Sequence, residues 1–154
     1  MSQYHLAQSL YAYDGQRKYL TEVERRRFLE AAEAAEGKVR TLCLTLAYTG
    51  CRISEALNLT ANDVQPSSAL IAIRCLKKRG KLVVREVPVP TVLLEALEAV
   101  HHLEQQGTSP DTPSPLWPWR RTRAWRLVKD VMEAAGINRK RRLQATLLRT
   151  GCAG

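Results

Sequence analysis

A chain of 154 residues is long enough for one domain with a buried core, and 45% hydrophobic and 25% charged residues are ordinary for a globular protein. Lysine and arginine total 24 against 15 acidic residues, so the formal charge is +9, which favours a polyanionic partner, nucleic acid ahead of an anionic membrane. No apolar stretch approaches the roughly 20 residues that span a bilayer, and no basic-then-apolar signal peptide opens the sequence. A cytoplasmic protein without a membrane segment is expected.

Cysteine usage argues against a metal site. The cysteines form no CxxC pair, and no histidine follows them at metal-ligand spacing. Cys43, Cys51 and Cys75 are predicted to be buried free thiols.

The first part of the chain predicts two helices. Residues 1–18 carry no clear period and are interpreted as a tail or the end of a linker. Thr21 and Glu24 form a capping box that predicts a helix over residues 21–35, which Gly37 is expected to stop. Residues 38–49 are apolar almost all round, which indicates a core helix. The apolar stripe of the first helix is expected to consist of Val23, Phe28, Leu29 and Ala32.

An arginine stands at an unusual place where the core helix ends. Gly50 is expected to end that helix, and residues 53–59 predict a short second one. Arg52 lies on the turn between them, where a fixed guanidinium suits a phosphate. The simpler interpretation pairs Arg52 with Glu55, its neighbour three residues on.

The period then changes to that of strands. Residues 70–73 and 82–87 are rich in β-formers, and the short loop between them contains a glycine, so they predict an antiparallel hairpin. Asp63 and Val64 are a candidate third strand. The hairpin loop is almost wholly cationic, which suits an arm that lies in a groove of DNA. Its basic residues are Lys77, Lys78, Arg79 and Lys81.

Two further helices are predicted after the sheet. Thr91 is expected to cap a helix of about 12 residues with Val92 on its apolar side, and His101 and His102 suit the negative end of its dipole. Residues 107–118 are interpreted as a loop, followed by a helix over residues 120–135 that buries Trp125 and ends at Gly136. Element order predicts a mainly α domain with a small antiparallel sheet, an α+β fold.

Four stretches resemble one family, the tyrosine recombinases, also called phage-type integrases. Residues 49–57, TGCRISEAL, resemble the family's first arginine box, and residues 85–90, REVPVP, are similar to the segment after that box. Residues 19–24, YLTEVE, resemble the start of the catalytic domain, and LWPW with TRAWR at residues 116–126 also fits the family. The resemblance covers about residues 19–138.

The resemblance implies both activity and site. The family exchanges DNA strands without a cofactor through a 3′-phosphotyrosyl intermediate, so double-stranded DNA and other recombinase subunits are the candidate partners. Arg52 is implied to be the first catalytic arginine and Glu55 the acid that follows it, while Lys78, with Lys77 as second choice, matches the hairpin lysine. The expected DNA-binding residues are Lys77, Lys78, Arg79, Lys81, Arg121 and Arg123.

The family's second box matches poorly. It reads roughly His-x-x-Arg-His and precedes the nucleophilic tyrosine. Arg149 is the candidate second arginine, but Thr146 and Thr150 stand where histidines are expected. All five tyrosines precede Arg52: Tyr4, Tyr11, Tyr13, Tyr19 and Tyr48. Residues 19–154 are therefore interpreted as a partial catalytic domain that is inactive alone, with an aberrant or diverged C-terminus.

Two alternatives stay open at this point. The chain could be a non-catalytic DNA-binding protein that occupies recombination sites, for which the net charge of +9 speaks. It could also be a basic helical domain without phosphodiester chemistry, in which Arg52 is only salt-bridged and the hairpin only solvated.

Overall fold

The computed structural model describes residues 20–76, 80–106 and 114–138, and these residues contain six helices and one small sheet. The helices are α1 (Glu22–Glu33), α2 (Gly37–Thr49), α3 (Ile53–Leu57), α4 (Thr91–His101), α5 (Leu103–Gln106) and α6 (Arg121–Ala134). The strands are β1 (Val64–Gln65), β2 (Leu70–Leu76) and β3 (Leu82–Pro88), and a 3-10 turn (Ala61–Asp63) precedes β1. In these residues no helix has the length and apolar character needed to cross a membrane. The predicted fold class, mainly α with a small antiparallel sheet, is confirmed.

Helix α1 begins with the predicted capping box. The Glu24 N–H donates to Thr21 Oγ1 at 3.2 Å, and the Thr21 N–H donates to the Glu24 carboxylate at 3.0 Å. Phe28 and Ala32 are buried, but Val23 is 55% exposed, so its predicted place in the apolar stripe is wrong. Val23 is five residues from Phe28, which is about 140° around a helix of 3.6 residues per turn.

The prediction that Gly37 stops α1 is also wrong. Helix α1 ends at Glu33 with Ala34 as its C-cap, and Gly37 is the first residue of α2. A Cβ on Gly37 would lie 3.4 Å from Val100 Cγ2, which is an ordinary van der Waals contact with α4. The glycine therefore begins a helix instead of forming a left-handed helix end.

Helix α2 forms the centre of the core. Nine of its residues are buried, and it packs against α1, α3, α4 and α6. Its buried threonines satisfy their hydroxyls within the helix: Thr45 Oγ1 donates to the Thr41 carbonyl at 2.7 Å and Thr49 Oγ1 to the Thr45 carbonyl at 2.6 Å. Gly50, with φ of 68°, ends the helix in the left-handed conformation, as predicted.

The sheet has the order β1-β2-β3 and is antiparallel throughout. Val64 pairs with Ile71, so the candidate third strand exists but covers residues 64–65. Strands β2 and β3 form the predicted hairpin, with Ile73 opposite Arg85. Along β3, residues 83, 85 and 87 are half-buried and the others are exposed. Cys75 is half-buried, whereas Cys43 and Cys51 are fully buried as predicted.

Helix α4 differs from the prediction at both ends. Pro90 rather than Thr91 is its N-cap, and Val92 is 48% exposed. His101 does not interact with the dipole as a cation, because its burial lowers its pKa to about 4, with smaller contributions from Lys38 and His102. Its Nε2 is 2.8 Å from Thr41 Oγ1, and its ring meets the Trp117 ring edge-on at 5.4 Å.

Helix α6 closes the core on the side of α1, α2 and α3. Ala124, Val128 and Met132, spaced four residues apart, are buried. Trp125 is displaced about 100° from that stripe and is 40% exposed, so its predicted inward position is wrong. The Lys129 ammonium lies 4.2 Å from the centre of the Trp125 ring. Ala135 is the C-cap of α6, and Gly136 follows it with φ of 73°.

Candidate nucleic-acid interface

The backbone on both sides of Arg52 is held by local structure. On its N-terminal side, Gly50 turns the chain and the Cys51 N–H donates to Thr49 Oγ1 at 3.3 Å. On its C-terminal side, Arg52 is the N-cap of α3, with extended backbone angles of −75° and 153°. Its side chain is exposed. The turn thus fixes the backbone of an arginine whose guanidinium is open to solvent.

Glu55 holds this turn through its carboxylate. Oε1 accepts the Arg52 backbone N–H at 2.8 Å, and the side chain of Glu55 is 7% exposed. The same oxygen is 3.3 Å from Arg85 Nη2. Within the described part of the chain, Glu55 therefore forms its ion pair with Arg85. It meets Arg52 through a backbone hydrogen bond, not through the salt bridge of the simpler interpretation.

Arg85 is the residue of this cluster that the sequence reasoning missed. It lies on β3, and the pleat places it on the same side as Val83 and Val87, towards the core. An arginine at an inward position of an otherwise apolar alternation was the available signal, because a charge that faces the core requires a partner. The carboxylate that meets it comes from a helix 30 positions earlier in the chain, which no local pattern reveals.

Cys51 adjoins the site but is not a candidate nucleophile. Burial, with a smaller contribution from the Glu55 carboxylate, raises the pKa of its thiol to about 11. The hydrogen bond with Thr49 and the charge of Arg85 act in the opposite direction but do not compensate. The thiol therefore stays protonated at neutral pH.

The structure describes only some of the predicted DNA-binding residues. Lys81, Arg121 and Arg123 are exposed, the first beside β3 and the other two in the first turn of α6. Helix α6 packs against α3, the helix that Arg52 caps. Four predicted site residues lie outside the described residues: Lys77, Lys78, Arg79 and Arg149.

The chemistry of the described cluster is that of anion binding. A guanidinium presents two parallel N–H donors that match two phosphate oxygens, so Arg52 can bind a phosphodiester in a bidentate way. Among residues 20–76, 80–106 and 114–138, no group of three histidine, cysteine or acidic side chains could hold a metal ion. The described groups can therefore bind and orient a phosphate through positive charge.

Comparison with known proteins gives the family. Residues 18–153 match the model of the phage integrase family. A search of curated proteins found no match. Among solved structures, the chain is similar to the XerA recombinase, with 26% identity and a TM-score of 0.67 over 87% of this chain and 50% of that one.

Two structures of the XerH site-specific recombinase show the same fold. A pre-cleavage complex with difH substrate has 18% identity and a TM-score of 0.62, covering 90% of this chain and 46% of that one. A post-cleavage complex with palindromic difH has 20% identity and a TM-score of 0.66, covering 89% and 43%. The chain thus spans about half the length of these recombinases. Because the family model matches nearly all of its residues, the chain belongs to the phage integrase family, the tyrosine recombinases.

Proposed function

We propose that this chain is the DNA-binding part of a tyrosine recombinase catalytic domain and that Arg52 binds a phosphate of the DNA backbone. The observation that carries the proposal is the Arg52 turn, in which the backbone is fixed by Glu55 while the guanidinium is exposed. The net charge of +9 supports a DNA partner, and so do the exposed Lys81, Arg121 and Arg123. Two of the similar recombinase structures hold a DNA substrate.

The remaining site residues are proposed from their place in the sequence. Lys78, or Lys77 as second choice, would protonate the departing oxygen, and Arg149 would be the second arginine on the phosphate. The domain would comprise residues 19–154, in a cytoplasmic location where it can reach DNA. Recombinase subunits of the same family are further candidate partners.

The reaction of the family needs a tyrosine nucleophile, and residues 53–154 contain no tyrosine. We therefore propose that these 154 residues alone bind DNA without forming the covalent phosphotyrosyl link. A nicked suicide duplex, incubated with the protein and analysed on a denaturing gel, tests this. No covalent protein–DNA adduct is expected, and an adduct would refute the proposed inactivity.

The DNA contact of Arg52 is tested by titrating a fluorescein-labelled duplex of arbitrary sequence at several salt concentrations. The binding constant is expected to fall as the salt concentration rises. Arg52→Ala is expected to reduce the slope of log K against log salt concentration by about 0.9 in magnitude, which is the contribution of one phosphate contact. The control is Arg26→Ala, which removes an exposed arginine from α1, remote in sequence from the Arg52 turn. Binding that does not depend on salt would contradict the proposal.

One observation favours a second function. Without a tyrosine after Arg52, the chain could act by occupying recombination sites rather than cleaving them. Competition with an intact recombinase for its own site separates the two functions. Displacement of the enzyme by stoichiometric amounts of this chain would support occupation, whereas binding that does not compete would reject it.

A further inference from the structure

The Arg85 side chain on β3 reaches across to the Glu55 carboxylate on α3. We infer that Arg85 is a positioning residue: it engages the Glu55 carboxylate and thereby leaves the neighbouring Arg52 guanidinium free to bind a DNA phosphate. This inference rests on the proposed function of Arg52 and assigns to Arg85 a role that acts through Glu55.

The first step concerns the charge of Glu55. Its side chain is 7% exposed, and a carboxylate at such a depth needs a counter-charge or hydrogen-bond donors. Both donors among the described residues, the Arg52 N–H and Arg85 Nη2, meet the same oxygen, Oε1. The other oxygen, Oε2, is buried and has no hydrogen-bond partner in the described part of the chain. Arg85 is thus the cation that neutralises a carboxylate with unused capacity to accept hydrogen bonds.

The second step is what Glu55 would do without Arg85. Arg52 lies three residues before Glu55, and its backbone nitrogen is already 2.8 Å from Oε1. Its flexible, exposed side chain is therefore the cation nearest in sequence to the uncompensated carboxylate. A charge-assisted bond between the two would be strong, because the carboxylate is largely removed from water. Such a bond would occupy the donors that a phosphate requires.

The third step is that the sheet fixes Arg85. Antiparallel pairing sets Arg85 opposite Ile73, which is fully buried, so the arginine leaves the sheet on its inner face. The side chain is still 41% exposed, which means that its outer part has contact with water. A guanidinium in this place can neutralise Glu55 without the full cost of burying a charge.

The same sheet provides a matched control. Arg74 on β2 pairs with Asp63, which also accepts the Thr60 N–H at 3.0 Å and the Thr60 hydroxyl at 3.3 Å. This pair has the same charges and its arginine lies on the same sheet, but no candidate phosphate-binding arginine caps the turn that Asp63 holds. Arg74→Gln therefore removes one positive charge without releasing a carboxylate next to Arg52.

The experiment measures the affinity of the 154-residue chain for a fluorescein-labelled DNA duplex of arbitrary sequence. Arg52→Ala is expected to weaken binding about tenfold, the effect of losing one charge-assisted contact. Arg85→Gln is expected to weaken binding by about the same factor, because Glu55 then captures Arg52. Adding Glu55→Gln to Arg85→Gln is expected to restore the affinity to that of the Arg74→Gln, Asp63→Asn double variant, which has the same net charge, since the charge that competes for Arg52 is removed.

Three results overturn the inference. The first is a Glu55→Gln, Arg85→Gln double variant that binds as weakly as Arg85→Gln. The second is an equal rescue of Arg74→Gln by Asp63→Asn, which would show a general charge effect. The third is weak binding by Arg85→Lys. This variant keeps a cation beside Glu55 and is therefore expected to retain the affinity of the unchanged protein.

Failure of the proposed function gives a different pattern. In that case Arg52→Ala binds DNA as well as the unchanged protein does. Substitutions of Arg85 or Glu55 then change the affinity by the same factor whether or not Arg52 is present. If Arg52→Ala weakens binding and its effect adds to that of Arg85→Gln, only the role of Arg85 is rejected. Circular dichroism and urea unfolding of each variant show that the affinities refer to folded protein.

Discussion

Lowering the pH should destabilise this protein through one buried histidine. His101 is 4% exposed, and burial lowers its pKa from 6.5 to about 4. As the pH falls, the unfolded chain therefore binds a proton before the folded protein does. The stabilisation is complete above pH 6.5 and is lost as the pH falls towards 4.

The size of the effect follows from the shift in pKa. Each unit of pKa corresponds to about 1.4 kcal/mol, so the free energy of unfolding should fall by about 3 kcal/mol in total, and by about 2 kcal/mol at pH 5. The assay is urea unfolding at pH 7.5 and pH 5.0, followed by circular dichroism. Carboxylates contribute at the lower pH as well, so the unchanged protein is compared with His101→Gln, in which the histidine contribution is absent.

A matched variant separates this histidine from its neighbour. His102 is exposed and adopts a left-handed conformation with φ of 53°, which asparagine tolerates. Because burial is the main cause of the lowered pKa of His101 and His102 contributes less, His102→Asn should keep most of the loss of stability at low pH. The reasoning is refuted if His101→Gln loses as much stability between pH 7.5 and pH 5.0 as the unchanged protein does.

Two further predictions follow from the turn and the thiols. Gly50→Ala should lower the free energy of unfolding by about 1 kcal/mol, because alanine disfavours the left-handed conformation at φ of 68°. Urea unfolding measures this loss, and the control is Gly37→Ala, at a glycine that lies within a helix. Iodoacetamide should modify the half-buried Cys75 much faster than Cys43 and Cys51, because burial raises the pKa values of these two thiols to about 12 and about 11. Peptide mapping by mass spectrometry identifies the modified cysteines. Equal labelling of all three in the folded protein would contradict the burial of Cys43 and Cys51.

Periodicity and turn chemistry anticipated most elements of the fold. The capping box at Thr21, the apolar run of α2 and the alternating strands predicted the helices and the hairpin, because each signal reports local backbone preference. The errors concern positions where a local signal allows two interpretations. Gly37 looks like a helix end but begins α2, and Trp125 looks like a core residue but lies beside the buried stripe.

The candidate site was predictable only in part for the same reason. Arg52 is conspicuous because it follows a glycine at a helix end, and Glu55 follows at helical spacing. Spacing alone offers a salt bridge as the simpler interpretation of the two, whereas Glu55 accepts a hydrogen bond from the Arg52 backbone and pairs with Arg85. A contact between a helix and a strand 30 positions apart depends on how the sheet packs, which local patterns do not encode.

The pairing of Ile73 with Arg85 limits which insertions the hairpin can accept. Side chains alternate between the two faces of a strand, so a shift of β3 by one residue would turn Arg85 away from Glu55 and present Val84 or Glu86 in its place. A shift by two would restore the inward face but move the position along the strand by about 7 Å. Length changes confined to the loop between Leu76 and Leu82 leave this pairing intact. The loop of the hairpin can therefore differ in length, and so extend a different distance towards a partner, while the register between β2 and β3 stays fixed.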